Sequence, residues 1–120
     1  MSIARYKVGP RIAAAAKLGD TIYVAGTVAD DAKLDAKGQT AQILRKIDEA
    51  LAHFGSNKSK IVWANVWVSD IRHYDAMNVA WDAWLDKANA PARATVESRL
   101  ATTDYLVEIA VVAGACADSS

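Results

Sequence analysis

Hydrophobic residues come in short alternating runs toward both ends of the chain and at helical spacing between them. Three strand-like runs open the sequence. Ala4–Val8 ends at Gly9-Pro10, Ile12–Lys17 stops at Leu18-Gly19-Asp20, and Thr21–Ala25 reads TIYVA before Gly26. The LGD tripeptide between the second and third runs is a hairpin signal. Residues 27–38 are polar, carry Asp30, Asp31, Asp35 and Gly38, and predict a loop. From Thr40 to Phe54, the residues Ile43, Leu44, Ile47 and Leu51 form one stripe at helical period, and Gly55 supplies a C-terminal cap. A long strand is expected over Lys58–Ser69. Strict alternation puts Ile61, Trp63, Asn65 and Trp67 on one face and Val62, Ala64, Val66 and Val68 on the other. Both faces are mainly apolar, so both need cover. A second helix is predicted over Arg72–Lys87. Met77, Trp81, Trp84 and Leu85 mark its inner face, and Ala76, Ala80 and Ala83 allow close approach to a sheet. The segment PARATVES, residues 91–98, then leads to a last strand over Tyr105–Ala113. Pro91 can open a strand but has no amide proton for its middle, so Arg93 is expected at a strand mouth.

The order β-β-β-α-β-α-β-β predicts an α+β fold, one domain over residues 1–120, with two helices on one face of the sheet and a frayed tail over 115–120. In so short a chain the helices can cover one side only. The other side then needs a partner, and Trp63 and Trp67 lie on one of these faces.

Composition narrows the function classes. Apolar residues make up 52% of the chain and charged residues 23%, which excludes disorder. Fourteen basic residues balance fourteen acidic ones and are scattered, so no electrostatic footprint for nucleic acid or an anionic membrane is present. The one cysteine, Cys116, permits no internal disulfide and suits a reducing compartment. No signal-peptide core and no bilayer-spanning apolar run is found, so a cytoplasmic protein is expected.

Two residues stand out chemically. Glu108 interrupts an otherwise apolar stripe of Leu106, Ala110 and Val112. A carboxylate there is costly to bury unless paired or protonated, and burial raises its pKa toward the range useful for proton transfer. It could equally pair with a nearby cation at a sheet edge. Arg93 offers a planar fork matched to a carboxylate, or could be a solvated surface arginine. Asn78 fits either polar glue or a site. Glu97 and Arg99 read as surface charges. His53 and His73 lack ligand-like spacing, so no metal is predicted, and His53 fits a role at a helix C-terminus. Cys116 has no local base and is discounted as a nucleophile. Trp63, Trp67, Trp81 and Trp84 fit core or interface better than base stacking.

The segments LGDTIYVAG, VWVSDIRHYDAMNVAWDAW, PARATVES and LVEIAVVA stand in the order and spacing of the RidA (YjgF) family. The chain resembles that family over about residues 5–114, and the pairing of PAR with the later VEI is the most specific part. The resemblance implies a chorismate-mutase-like α+β fold with a mixed sheet, assembled as a homotrimer with a central barrel and helices outside. It implies sites in the clefts between subunits that hydrolyse reactive 2-imino and enamine acids to 2-keto acids and ammonia, without a cofactor. By position, Arg93 matches the arginine that grips the substrate carboxylate, and Glu108 matches the acid that orients or activates water. Gly26 matches a glycine bordering the site, Asn78 a helix asparagine near the cleft, and Thr95 a position often held by cysteine. The chain departs from the family pattern at Arg11 and Ile12, which replace an N-terminal site tyrosine, at Ala25, which replaces a serine, and at SRLA in place of ARLP. A remodelled, more apolar and more basic cleft wall follows. It leaves room for a different substrate, such as an aminomuconate or aminoacrylate, or for a non-catalytic trimer that binds a small carboxylate.

Overall fold

The computed structural model describes residues 2–115. Six strands form one sheet: β1 (Ile3–Val8), β2 (Ala13–Leu18), β3 (Thr21–Thr27), β4 (Ile61–Val68), β5 (Ala92–Glu97) and β6 (Val107–Gly114). Two helices, α1 (Ala36–His53) and α2 (Tyr74–Trp84), interrupt the strand sequence. The strand order is β1-β2-β3-β6-β4-β5, and only the β4–β5 pair is parallel. This is the α+β arrangement that the element order predicts, with the mixed sheet that the family resemblance implies. Gly19 takes a left-handed φ of 60° in the turn between β2 and β3, where LGD signals a hairpin.

Period-two alternation decides which face is dry. In β6, Val107, Ile109, Val111 and Ala113 are buried, and Glu108, Ala110 and Val112 between them are half-buried. In β4, Ala64, Val66 and Val68 join the buried side, against Ile43, Leu44, Ile47 and Leu51 of α1 and Met77 and Trp81 of α2. These residues form one continuous core on the helix-covered face. The opposite face carries Tyr23, Trp63 and Val96, which are 52%, 39% and 49% exposed, so none of the described residues covers it.

Several boundaries differ from the sequence-based expectation. The third strand runs on to Thr27, and the first helix starts at Ala36, four residues earlier than expected. Its start is set by Asp35, whose carboxylate accepts from the Gly38 amide at 2.8 Å. Lys58–Lys60 and Ile71–His73 form single 3-10 turns, begun by Asn57 and Asp70 side chains, so β4 and α2 are shorter than predicted. Strict alternation also fails at the start of β4. Ile61 pairs with Ala113 and Trp63 with Val112, so the intervening Val62 is an extra residue. This bulge returns Ile61 to the core and leaves Val62 outside, the reverse of the predicted faces. The tail is not loose at its first residue: the Ala115 amide donates to the Asp20 carbonyl at 2.8 Å. Residues 116–120, and with them Cys116, lie outside the described residues.

Gln39 is a buried polar side chain that the pattern did not flag. It is fully enclosed, yet its Nε2 donates to the carbonyls of Leu34 and Asp104 at 3.0 Å each, and its Oε1 accepts from the Leu106 amide at 2.9 Å. One side chain thereby ties the segment before α1 to the segment before β6. Among the described residues no helix is long and apolar enough to cross a membrane.

Candidate functional site

Arg93 is the second residue of β5, directly after Pro91 and Ala92. It pairs with Ala64, and Thr95 pairs with Val66, so both side chains belong to the helix-covered face. There they meet one stripe of α2. Tyr74, Met77, Asn78 and Trp81 fall at i, i+3, i+4 and i+7, the spacing that puts them on one side of a helix. Arg93 Nη1 donates to Asn78 Oδ1 at 2.8 Å. The guanidinium carbon lies 5.0 Å from the Trp81 ring centre and 5.9 Å from that of Tyr74. Flat aromatic faces attract the cation without neutralising it. The two ion pairs found among the described residues, Lys46–Asp30 and Arg72–Asp70, do not involve Arg93. A half-buried guanidinium is thus aimed and held by neutral groups, with its charge uncompensated. Two residues along the strand, Thr95 Oγ1 is buried without a hydrogen-bond partner.

Glu108 lies on the other side of the sheet. It pairs with Trp67, three residues from the Ala64 that faces the helices, so its side chain belongs to the uncovered face. Neither of those ion pairs includes it either. Its carboxylate lies against Gly26. A Cβ built on Gly26 would come within 3.2 Å of Glu108 Cδ and far inside contact distance of Oε2. A recess of about 170 Å³ beside it is lined by Trp67, Ser98, Arg99, Leu100, Ala101 and Glu108. Arg11 and Ile12, both exposed, form the β1–β2 turn, where the Gly9 amide donates to the Ile12 carbonyl at 2.8 Å. With Ala15 opposite Val24, the β2–β3 register carries that turn to the Gly26 end of β3.

The predicted residues therefore fall into two groups. Arg93, Asn78 and Thr95 cluster under α2. Gly26 and Glu108 touch on the far face, with Arg11 and Ile12 toward the same end. Sequence reasoning missed Tyr74 and Gln39. Tyr74 could have been found from its i, i+4 spacing to Asn78. Nothing local marks Gln39.

Among the described residues, electrostatic tuning is found at surface groups. The hydrogen bond from Lys46, at 2.8 Å, holds the Asp30 carboxyl below its usual range. This pair borders a cavity of about 430 Å³ between β1–β3 and α1, which contains none of the predicted site residues. His53, at the end of α1, stacks on Tyr6 with ring centres 4.5 Å apart. Among the described residues no three His, Cys, Asp or Glu side chains gather as a metal site would require.

Known proteins share this fold. The family model described as Endoribonuclease L-PSP matches residues 4–115. A RutC family protein of Haemophilus ducreyi is 40% identical over 111 residues, covering 92% of this chain and 95% of that protein. The RutC family protein YoaB of Escherichia coli is 44% identical over 94 residues, covering 78% of this chain and 82% of its own. The crystal structure of a YjgF-family member from Neisseria meningitidis superposes with a TM-score of 0.92 at 37% identity, covering 95% of each chain. From its strand order, its PAR and VEI segments and these likenesses, the chain belongs to the RidA (YjgF) family.

Proposed function

We propose that this protein hydrolyses reactive 2-imino acids and their enamine tautomers to 2-keto acids and ammonia, at a site completed between neighbouring copies of the chain. The observation that carries the reading is the uncompensated guanidinium of Arg93, fixed by Asn78 and Trp81 with no carboxylate of its own. Such a fork is prepared for a carboxylate from outside, and a bidentate contact orients its planar partner.

A second group is needed to move protons, and Glu108 is on the opposite face of the sheet. One chain cannot bring both to one small molecule. The exposed apolar face around Tyr23, Trp63 and Val96 supports the remedy: packed in a homotrimer around a central barrel, it would be buried, and Glu108 of one copy would face Arg93 of the next. Arg93, Asn78 and the unpartnered Thr95 hydroxyl then supply one wall, and Gly26, Glu108, Arg11 and Ile12 the other.

The chemistry needs little more than positioning. Arg93 holds the carboxylate, and Glu108 accepts a proton from a water as its oxygen bonds to the C=N carbon. The imine nitrogen takes a proton and becomes an amine. Glu108 returns its proton to that amine as the C–N bond of the carbinolamine breaks, and the hydroxyl gives its proton to solvent water, replacing the one the imine nitrogen drew from solvent, so the products are the carbonyl and ammonia. Imines hydrolyse unaided, so orientation and one proton relay suffice. The family description names an endoribonuclease, but the balanced, scattered charges of this chain offer no track for a phosphate backbone.

Arg93→Ala tests the reading. Added to a pyridoxal-phosphate dehydratase that releases 2-iminobutyrate, the wild type should speed 2-ketobutyrate formation, and the variant should add nothing over the uncatalysed rate while keeping its native mass. Wild-type acceleration by the variant refutes the proposal. Ligand binding with no turnover of any imine points instead to a carboxylate-binding protein.

A further inference from the structure

Arg99, Leu100 and Ala101 form a wall with two sides. One side is the small recess beside Glu108. The other is a cavity of about 450 Å³ whose remaining lining is Ser69, Thr102 and Thr103. The charge in this larger cavity is of one sign, because Arg99 is the only ionisable group among the described residues that line it. Arg99 takes part in neither ion pair among the described residues. The polar groups are thus a guanidinium and hydroxyls, of which Thr102 Oγ1 accepts from the Asp104 amide at 3.3 Å. The wall is pinned at both ends. The Ser98 amide donates to the Val68 carbonyl at 2.9 Å, its hydroxyl donates to the Arg99 carbonyl at 3.1 Å, and Gln39 holds Asp104 and Leu106. An exposed cation and hydroxyls, on a segment held at Ser98 and Asp104 and with no acid in the lining of the larger cavity, suit an anionic group.

We propose that Arg99, with Ser69, Thr102 and Thr103, forms a subsite for a second carboxylate at the far end of the substrate side chain. The preferred substrates are then dicarboxylic 2-imino acids rather than uncharged ones. The inference rests on the reading of Arg93 and Glu108 as the reaction centre, and extends it by assigning what lies beyond Glu108.

Binding of two keto acids tests the subsite without relying on turnover. The probes are 2-oxoglutarate and 2-oxopentanoate, which have the same five-carbon chain and differ in the terminal carboxylate. Calorimetry at constant ionic strength should give the wild type an affinity about tenfold higher for 2-oxoglutarate, the worth of one charge-assisted contact. Arg99→Gln should bring the two acids to within about twofold of one another, and Arg93→Ala should weaken both together. Equal binding of the two acids by the wild type overturns the subsite and leaves the reaction centre standing. A preference that survives Arg99→Gln and disappears in Arg11→Gln also overturns it, by moving the second cation to the β1–β2 turn. If neither acid binds, the reading of Arg93 fails and the subsite fails with it.

Discussion

Substituting Gly26 by alanine separates a site's geometry from its stability. The backbone tolerates the change, because the glycines with left-handed φ are Gly19 and Gly55, not Gly26. The space does not. The new methyl would stand 3.2 Å from Glu108 Cδ and 3.6 Å from Cγ, with Oε2 far inside contact. Ordinary carbon contacts begin at about 3.5 Å, so the carboxylate must swing aside by roughly 1 Å. That group is the end of a flexible side chain on the uncovered face. Turning it off its preferred rotamer costs about 0.5–1.5 kcal/mol, a fall in melting temperature of a few degrees. The proposed catalysis should suffer far more, since a misplacement of about 1 Å can cost on the order of 100-fold in rate. The assay pairs urea unfolding with imine hydrolysis for Gly26→Ala, Glu108→Gln and the double variant. Glutamine keeps the shape of the acid, so the steric cost should persist in the double variant. The rate penalty should not, because the carboxylate that alanine displaces is already gone. A Gly26→Ala protein with wild-type turnover, or one that loses the same factor with and without Glu108, would refute the account of this contact.

Three further outcomes are expected. Gln39→Leu removes the side-chain partner of the part-buried Leu34 and Asp104 carbonyls and Leu106 amide; it should destabilise the fold by about 1–3 kcal/mol, read as a lower urea midpoint at unchanged slope, and a loss below about 0.5 kcal/mol counts against the clamp. The side-chain hydrogen bond from Arg72 lowers the Asp70 carboxyl to about 2. A depressed folded-state pKa favours the fold above the usual carboxylate range and loses that effect as pH falls toward 2, so carbon NMR should show Asp70 titrating near that value and rising part of the way toward the ordinary range in Arg72→Gln, which keeps the hydrogen bond from the residue 72 amide, with no change meaning the side-chain pair is absent in solution. Trp63→Glu puts a charge on the uncovered apolar face; native mass measurement should find smaller species than the wild type, and an identical mass speaks against burial of this face.

Much of the fold was written in periodicity. The stripe of Ile43, Leu44, Ile47 and Leu51 identified α1, and the alternation in the last strand separated Val107, Ile109 and Val111 from Glu108. The bulge at Val62 was not legible, because alternation assumes one residue per partner, and the offset exists only in the pairing of β4 with β6. Helix starts were missed where side chains such as Asp35 cap the backbone ahead of the apolar stripe. Arg93 and Glu108 were each visible, one beside a proline and one on an apolar run. Their placement on opposite faces was not, since it follows from the registers that set Arg93 beside Ala64 and Glu108 beside Trp67, residues of β4 on opposite faces. Gln39 carries no sequence signal because its partners are carbonyls and an amide, which every residue type provides.

With Arg93 and Glu108 on opposite sides of one sheet, folding and competence become separate events. On the proposed assembly, a newly made chain can be fully native and still inert, and it becomes useful only on meeting its own kind. Dilution should silence the protein before it unfolds it. Defects would also be shared in an unusual way. A chain that has lost its guanidinium and a chain that has lost its carboxylate can each lend the other the missing half, so two dead proteins mixed together regain working clefts, and two copies of the same defect never do.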